Sequence, residues 1–375
     1  MDKIELCRVD ACTQCNACQA ICPKKCIVMR DAGEGFAIPD IDHEQCVKCG
    51  ACVKACHRLS PHITYQRPLK NYACWTKKAE DREHSSSGGA FSVLAQKILG
   101  SGGVVYGAHM DEQLQVCHVG VETSEGIKML QGSKYVQSNL EGIFIQVKAI
   151  LNVGRNVLFT GTPCQIAGLL SYLHKKYENL YTCDVVCHGV PSQKAFDIYL
   201  EKIGLKGKCQ NFSFRFTKGW GYRLSTDQGI VSPRKAYYIK AFTKGLMFNE
   251  PCYSCPYARP ERISDFTLAD YWGLGKKLPF HHSTRKGVSC LLVNNQRALN
   301  FLNDCFDLER EERPLDEAIE GNYNLSHASS RPIGRDAFFA DSQTMSIREL
   351  CEKYDISCGV RDYLRLLKQS LMSLV

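Results

Sequence analysis

The stretch Cys12-Thr13-Gln14-Cys15-Asn16-Ala17-Cys18-Gln19-Ala20-Ile21-Cys22-Pro23 has the spacing C-x2-C-x2-C-x3-C-P. Cys46, Cys49, Cys52 and Cys56 repeat it, with His57 in place of the proline. This is the spacing that binds a pair of [4Fe–4S] clusters. A cubane needs four converging thiolates, and a tight C-x2-C-x2-C loop supplies three of them while turning backbone N–H groups toward the sulfides. The fourth cysteine of each run is expected to open a helix and to ligate the other cluster. One cluster then takes Cys12, Cys15, Cys18 and Cys56, and the other takes Cys46, Cys49, Cys52 and Cys22. Zinc and disulfides are the competing readings. Zinc favours two separated C-x2-C pairs over a repeated triplet plus one.

Working outward, the chain has 375 residues, 44% of them hydrophobic and 23% charged, enough for two or three domains. No apolar run approaches the roughly 18 residues of a membrane span. Met1 to Asp10 carries charges and no apolar core, so it is not read as an export signal. The 22 cysteines then belong to a reducing compartment, the cytoplasm of an organism that shields its clusters from oxygen. A net charge of +8, spread along the chain, suits anionic small ligands or a solvated surface, and no nucleic-acid motif is present.

The fold class expected is α/β (α+β overall): a small two-cluster domain over 1–60, a linker over 61–71, and a larger mixed α/β unit in two parts, 72–155 and 156–340, with a helical tail over 341–375. Gly35 to Pro39 reads as a short strand after a turn. Ser87 is the expected N-cap of a helix beginning near Ala90. Strands are expected at 104–108, 156–160 and 181–186, with helices over 140–152 and 165–174. This strand–helix–strand order argues for a parallel unit. The alternation Phe212, Phe214, Phe216 and the run Lys235 to Ala241 suggest antiparallel strands.

Three further cysteine signals lie in the second unit: Cys164 at a helix N-terminus, Cys187 at a strand end beside His188, and Cys252-x2-Cys255 between Pro251 and Pro256. Together they supply the four thiols a third [4Fe–4S] cluster needs. Spacing alone leaves open two core thiols plus a small zinc or redox site. A thiol at a helix N-terminus can also be a nucleophile, with His188 as its base. Gly/Ser turns before helices at 85–89, 131–135 and 161–163 are suited to phosphate, and Lys134 adds a charge to one of them.

Ser85-Ser86-Ser87-Gly88-Gly89, Gly132-Ser133-Lys134-Tyr135, Gly161-Thr162-Pro163-Cys164-Gln165, Cys187-His188-Gly189-Val190-Pro191-Ser192 and Cys252-x2-Cys255…Arg262-x2-Asp265…Asp270-Tyr271-Trp272-Gly273 resemble the family of coenzyme F420 hydrogenase/dehydrogenase beta subunits. The resemblance runs from about residue 72 to 300, with a ferredoxin-type unit in front. It implies a flavoprotein carrying FAD beside a [4Fe–4S] cluster, on Cys164, Cys187, Cys252 and Cys255. It implies Ser87, Gly88, Gly89, Ser133 and Lys134 as candidates for the flavin phosphates and ribityl. Asp265, Asp270 and Trp272 fall in the same signature and are read as shaping its loop.

The expected function is that of an FAD-dependent iron–sulfur oxidoreductase. Hydride would be exchanged with F420 or another small-molecule donor or acceptor, and single electrons with ferredoxin or another redox protein. His188 is the candidate proton donor. Two other classes stand beside it: an electron-transfer module with no substrate site of its own, and a Cys164 thiol enzyme.

Overall fold

The computed structural model describes residues 3–215, 220–357 and 364. The N-terminal unit holds α1 (Ala17–Ile21), β1 (Ile27–Asp31), β2 (Ala37–Ile41) and α2 (Ala51–Lys54). β1 and β2 pair antiparallel, with Ile27 opposite Ile41. The two cysteine loops have the same backbone: Gln14 and Asn16 in the first, and Lys48 and Gly50 in the second, all have positive φ (58°, 61°, 54° and 73°). Left-handed steps at alternate residues are what fold such a loop around a concavity of inward N–H groups. The fourth cysteines correct the expectation drawn for them. Cys22 is the C-terminal cap of α1, and Cys56 lies just past the cap residue of α2. Each helix is a single short piece that carries the chain from the third cysteine to the fourth.

The main body is built on β3 (Lys70–Thr76), β4 (Val104–Met110), β5 (Val116–Val121), β6 (Val157–Gly161), β7 (Leu180–Val185), β11 (Phe266–Asp270), β12 (Ser289–Val293) and β13 (Leu308–Glu312). They form one eight-stranded sheet in the order β13-β3-β12-β11-β7-β6-β4-β5. The four middle strands β4, β6, β7 and β11 run parallel, and the outer pairs are antiparallel. Side chains alternate across it with the period of two expected of strands. Leu158 joins the core under α4 (Ala90–Gly100) and α10 (Gln296–Asn303), while Val157 and Phe159 join the opposite core, under α6 (Ile143–Asn152) and α7 (Pro163–Leu173).

A third, aromatic core lies beside the sheet. It gathers α8 (Gln193–Ile203), β8 (Phe212–Arg215), β9 (Tyr222–Thr226), α9 (Tyr237–Thr243), α12 (Arg335–Thr344) and α13 (Ile347–Tyr354). The expected strand over Lys235 to Ala241 is therefore a 3-10 turn leading into α9. Tyr237, Tyr238, Ile239, Ala241 and Phe242 are all buried, so the segment has no polar face whose spacing would reveal a helix. Phe216 lies outside the described residues. The expected linker is built into the body: Gln66 N donates to Arg262 O at 2.9 Å, and β3 begins at Lys70. The expected tail is core in its described part, since Leu350 and Ile356 are fully buried; its remainder, 358–363 and 365–375, lies outside the described residues.

The two units share packing. Ala17 of α1 sits in the core of α6 and α7. Phe36, from the turn before β2, meets Phe339 with ring centroids 6.2 Å apart, and Glu34 pairs with Arg335 at 2.7 Å. His57 is buried between the units, its Nδ1 2.6 Å from Tyr257 Oη and its Nε2 3.0 Å from Thr13 Oγ1.

Two buried polar groups brace the sheet. The carboxylate of Asp184 on β7 accepts no hydrogen bond and is balanced by Arg262, 3.0 Å away. Removing one member of such a pair strands the other charge, so Arg262→Met is expected to cost about 3–5 kcal/mol in denaturant unfolding. His118 on β5 lies 2.8 Å from Thr160 O and 2.7 Å from Ser138 Oγ, and burial lowers its pKa to about 4. A carbonyl only accepts, so Nε2 carries the proton and Nδ1 accepts from the hydroxyl. The unfolded chain takes up a proton at this ring below its ordinary value of about 6.5, and the folded one does not until about 4. Stability from this group is thus lost as pH falls through that window. Between pH 6.5 and 5 the melting temperature of His118→Asn should fall less steeply than that of the wild type.

Candidate functional site: three thiol groups and a cavity

In the N-terminal unit the structure brings the cysteines together in the crossed sets. Cys12, Cys15, Cys18 and Cys56 ring one cavity, and Cys22, Cys46, Cys49 and Cys52 ring another. All the described cysteines are free thiols. Among the described residues no group of three or more His, Cys, Asp or Glu closes on a single ion. The thiols surround voids, as a polynuclear cluster requires. The first set is inner, with Cys12 buried; in the second, Cys49 is exposed.

Cys164, Cys187, Cys252 and Cys255 come from three separate elements. Cys164 is the second residue of α7, Cys187 follows β7, and Cys252 and Cys255 lie in and just after the 3-10 turn Glu250–Ser254. Burial pushes all four thiols up, Cys164 to about 11. For Cys164, Cys187 and Cys252 the next cause is the charge of their fellow thiols. Arg262 acts the other way on Cys187 and Cys255. Buried thiols that resist ionisation lose their protons when a metal centre binds them, since only the thiolate ligates. The nucleophile reading of Cys164 needs the opposite, a lowered pKa. Its hydrogen-bond partner is Thr162 Oγ1 at 3.1 Å, not His188.

The inner set and this third set are adjacent. Gly168 lies on α7 one turn beyond Cys164. A Cβ at Gly168 would stand 2.6 Å from Cys15 Cβ and 2.8 Å from its Sγ. Only a residue without a side chain lets the two thiol groups approach so closely.

Beside the third set opens a cavity of about 330 Å³, within the usual range for small-molecule sites. It sits at the carboxyl ends of the parallel strands, touched by Ala108, Thr160, Val185 and Asp270, where open α/β sheets bind ligands. Cys164, Cys187 and His188 form part of its wall. Burial lowers the pKa of His188, so its ring is neutral near pH 7.

The phosphate candidates divide. Ser87, Gly89, Ser133 and Lys134 line the cavity. Ser87 is not the N-cap of α4: its Oγ donates to Val288 O at 2.8 Å, and Gly89 occupies the cap. Gly88 is set by packing, since a Cβ there would lie 2.2 Å from Cys74 O. The turns themselves meet, with Ser133 N donating to Ser86 Oγ at 2.7 Å. Lys134 Nζ donates to the carbonyls of Met129, Leu130 and Gln131, closing the end of α5 (Ser124–Leu130), and burial lowers it to about 7.

Gln137 and Arg215, not anticipated from the sequence, join residues of the signature in and behind the wall. Gln131 Oε1 and Gln137 Oε1 are buried acceptors with no partner. Arg215 spans Asp270 at 2.8 Å and Tyr135 Oη at 2.9 Å. Trp272 stacks on Trp220 at 4.8 Å and 8°, and Trp220 Nε1 donates to Asp270. Asp265 accepts from Thr182, Asn295 and Arg297 and braces the sheet. The sequence marked Asp270 and Trp272 through the signature and the 131–135 turn through its composition; Arg215 sat unmarked between phenylalanines.

Residues 11–58 match the 4Fe-4S dicluster domain, and residues 154–316 match the C terminus of the coenzyme F420 hydrogenase/dehydrogenase beta subunit. The F subunit of F(420)H(2) dehydrogenase from Methanosarcina mazei is 23% identical over 270 residues, 67% of this chain and 73% of that protein. Nitrogen fixation protein FixG of Rhizobium meliloti is 27% identical over 95 residues, 25% of this chain; the match spans only 16% of FixG. A chain of the F420-reducing [NiFe] hydrogenase complex from Methanosarcina barkeri superposes with a TM-score of 0.48 at 16% identity, covering 69% of this chain and 91% of that one. Among the described residues no helix is long and apolar enough to cross a membrane. The protein is an iron–sulfur protein with a 4Fe-4S dicluster domain over residues 11–58, followed by a region, residues 154–316, that matches the C terminus of the coenzyme F420 hydrogenase/dehydrogenase beta subunit.

Proposed function

We propose that the chain is an FAD-dependent iron–sulfur oxidoreductase that carries electrons between a flavin in the sheet-end cavity and three [4Fe–4S] clusters in line. The third cluster is held by Cys164, Cys187, Cys252 and Cys255, the inner one by Cys12, Cys15, Cys18 and Cys56, and the outer one by Cys22, Cys46, Cys49 and Cys52. The observation that carries this reading is the contact of Cys15 with Gly168, one helical turn from Cys164 and next to the cavity wall. Electron transfer between centres needs such proximity. The exposed Cys49 makes the outer cluster the port for ferredoxin or another redox protein.

The cavity's residues suit a flavin. The unpartnered oxygens of Gln131 and Gln137 accept from ring or ribityl donors, and the small-residue turns at Gly89 and Ser133 border the same cavity. Lys134 caps α5 and supports the Ser133 turn; it does not spend its hydrogens on a ligand. When bound, FAD converts hydride chemistry to single-electron steps. His188, neutral and on the wall, takes up or gives the accompanying proton. F420, or another small organic hydride partner, is the substrate class.

The test is an anaerobic preparation of the full chain, assayed for iron, acid-labile sulfide and extractable flavin. About twelve irons and one FAD per chain are expected, since each cubane holds four irons. About eight irons and no flavin would leave an electron-transfer module. Cys164→Ser should lose about four irons and keep the rest. Gly168→Val forces a side chain into the contact with Cys15. It should cost about 1–3 kcal/mol in unfolding and slow reduction of the two ferredoxin-type clusters from the flavin side in stopped-flow traces.

A further inference from the structure

Each cavity of the N-terminal unit contains a fifth thiol that the cluster spacing does not call for. Cys7 lines the inner cavity, its Sγ 3.5 Å from Cys56 Sγ. Cys26 lines the outer one, its Sγ 3.5 Å from Cys22 Sγ, and it also reaches Cys46. The sequence repeat does not produce this arrangement. Under the alignment that places Cys12 on Cys46, Cys7 falls on Ile41 and Cys26 on Ser60. Two unrelated positions have therefore arrived at one geometry. In both, the spare thiol stands against the crossing ligand, the one cysteine each cluster draws from the opposite half of the unit. That ligand is the one that relative movement of the halves would pull away. Ordinary packed thiols of this chain, such as Cys183, Cys290 and Cys305, have no thiol at such range among the contacts the structure records.

We propose that Cys7 and Cys26 are exchange ligands, which take over the iron of Cys56 and of Cys22 when the crossing ligand leaves. In the inner site the Cys7 Sγ–Fe bond forms as the Cys56 Sγ–Fe bond breaks, and the Cys7 proton passes to the Cys56 sulfur. No electrons move, so the cluster keeps its oxidation state and its four thiolates. The inference rests on the crossed cluster assignment proposed above.

The test uses the full chain, purified anaerobically, with iron counts and electron paramagnetic resonance of the dithionite-reduced protein. Cys56→Ala and Cys22→Ala should each keep the wild-type iron content, with altered g-values for one cluster. Cys7→Ala/Cys56→Ala and Cys22→Ala/Cys26→Ala should each lose about four irons, as should Cys12→Ala, which has no substitute. If the single crossing variants lose as much iron as the double ones, exchange does not occur. If the wild type itself lacks either ferredoxin-type cluster, the cluster assignment fails instead. A second arm needs no variant: slow iodoacetamide labelling of the holoprotein, followed by peptide mapping. Exchange predicts label shared between Cys7 and Cys56 with Cys12 and Cys15 protected; label confined to Cys7 overturns it.

Discussion

The absence of a side chain at Gly168 is the constraint on which the arrangement depends. Cys15 rests on bare helix backbone one turn from Cys164, so two thiol groups from separate units become neighbours. Ala17 follows into the core of α6 and α7, and His57 locks against Tyr257. Phe36 fixes the far side of the unit in the aromatic core. These contacts hold the N-terminal unit in one orientation, with the inner cavity toward the sheet and Cys49 toward solvent. The closeness of these two thiol groups is thus a consequence of packing.

Charge organises the surroundings of the third thiol set. Buried thiols without a cation are costly to ionise together, and the fold answers with very few positive groups. Arg262 lies between Asp184 and the third thiol set, and Arg215 is tied to Asp270. Both arginines are almost fully buried and each is matched by a carboxylate. The chain therefore brings little net positive charge of its own to the third set. The parallel strands deliver the same elements to the cavity, because all four end on one edge of the sheet.

Much of this was legible in the residues. The repeated C-x2-C-x2-C-x3-C marks the dicluster unit because three closely spaced cysteines on one loop, repeated, fit a pair of cubanes and fit zinc or disulfides poorly. The strands at 104, 157 and 180 were readable because buried parallel strands are apolar runs between turn residues. Helix α9 was not, because it is buried on nearly every side and its aromatic content resembles a strand. The Ser87 cap was misplaced because a left-handed glycine ends that loop, and the hydroxyl is used across the sheet by Val288. Lys134 looked like a phosphate ligand from its turn, and only the position of the carbonyls ending α5 showed what its ammonium holds.

The sequence by itself determined the local chemistry: which thiols belong to one loop, where a Gly/Ser turn precedes a helix, and that the N-terminal unit is a two-cluster domain. Tertiary structure alone decided what is near what. It paired Cys15 with Gly168, set Cys7 against Cys56, and placed Arg215 and two unpartnered glutamine oxygens in one wall. The physical reason is that ligand spacing is a property of a few adjacent residues held by short covalent links. Adjacency between elements depends on how whole cores fill, and no local stretch encodes that.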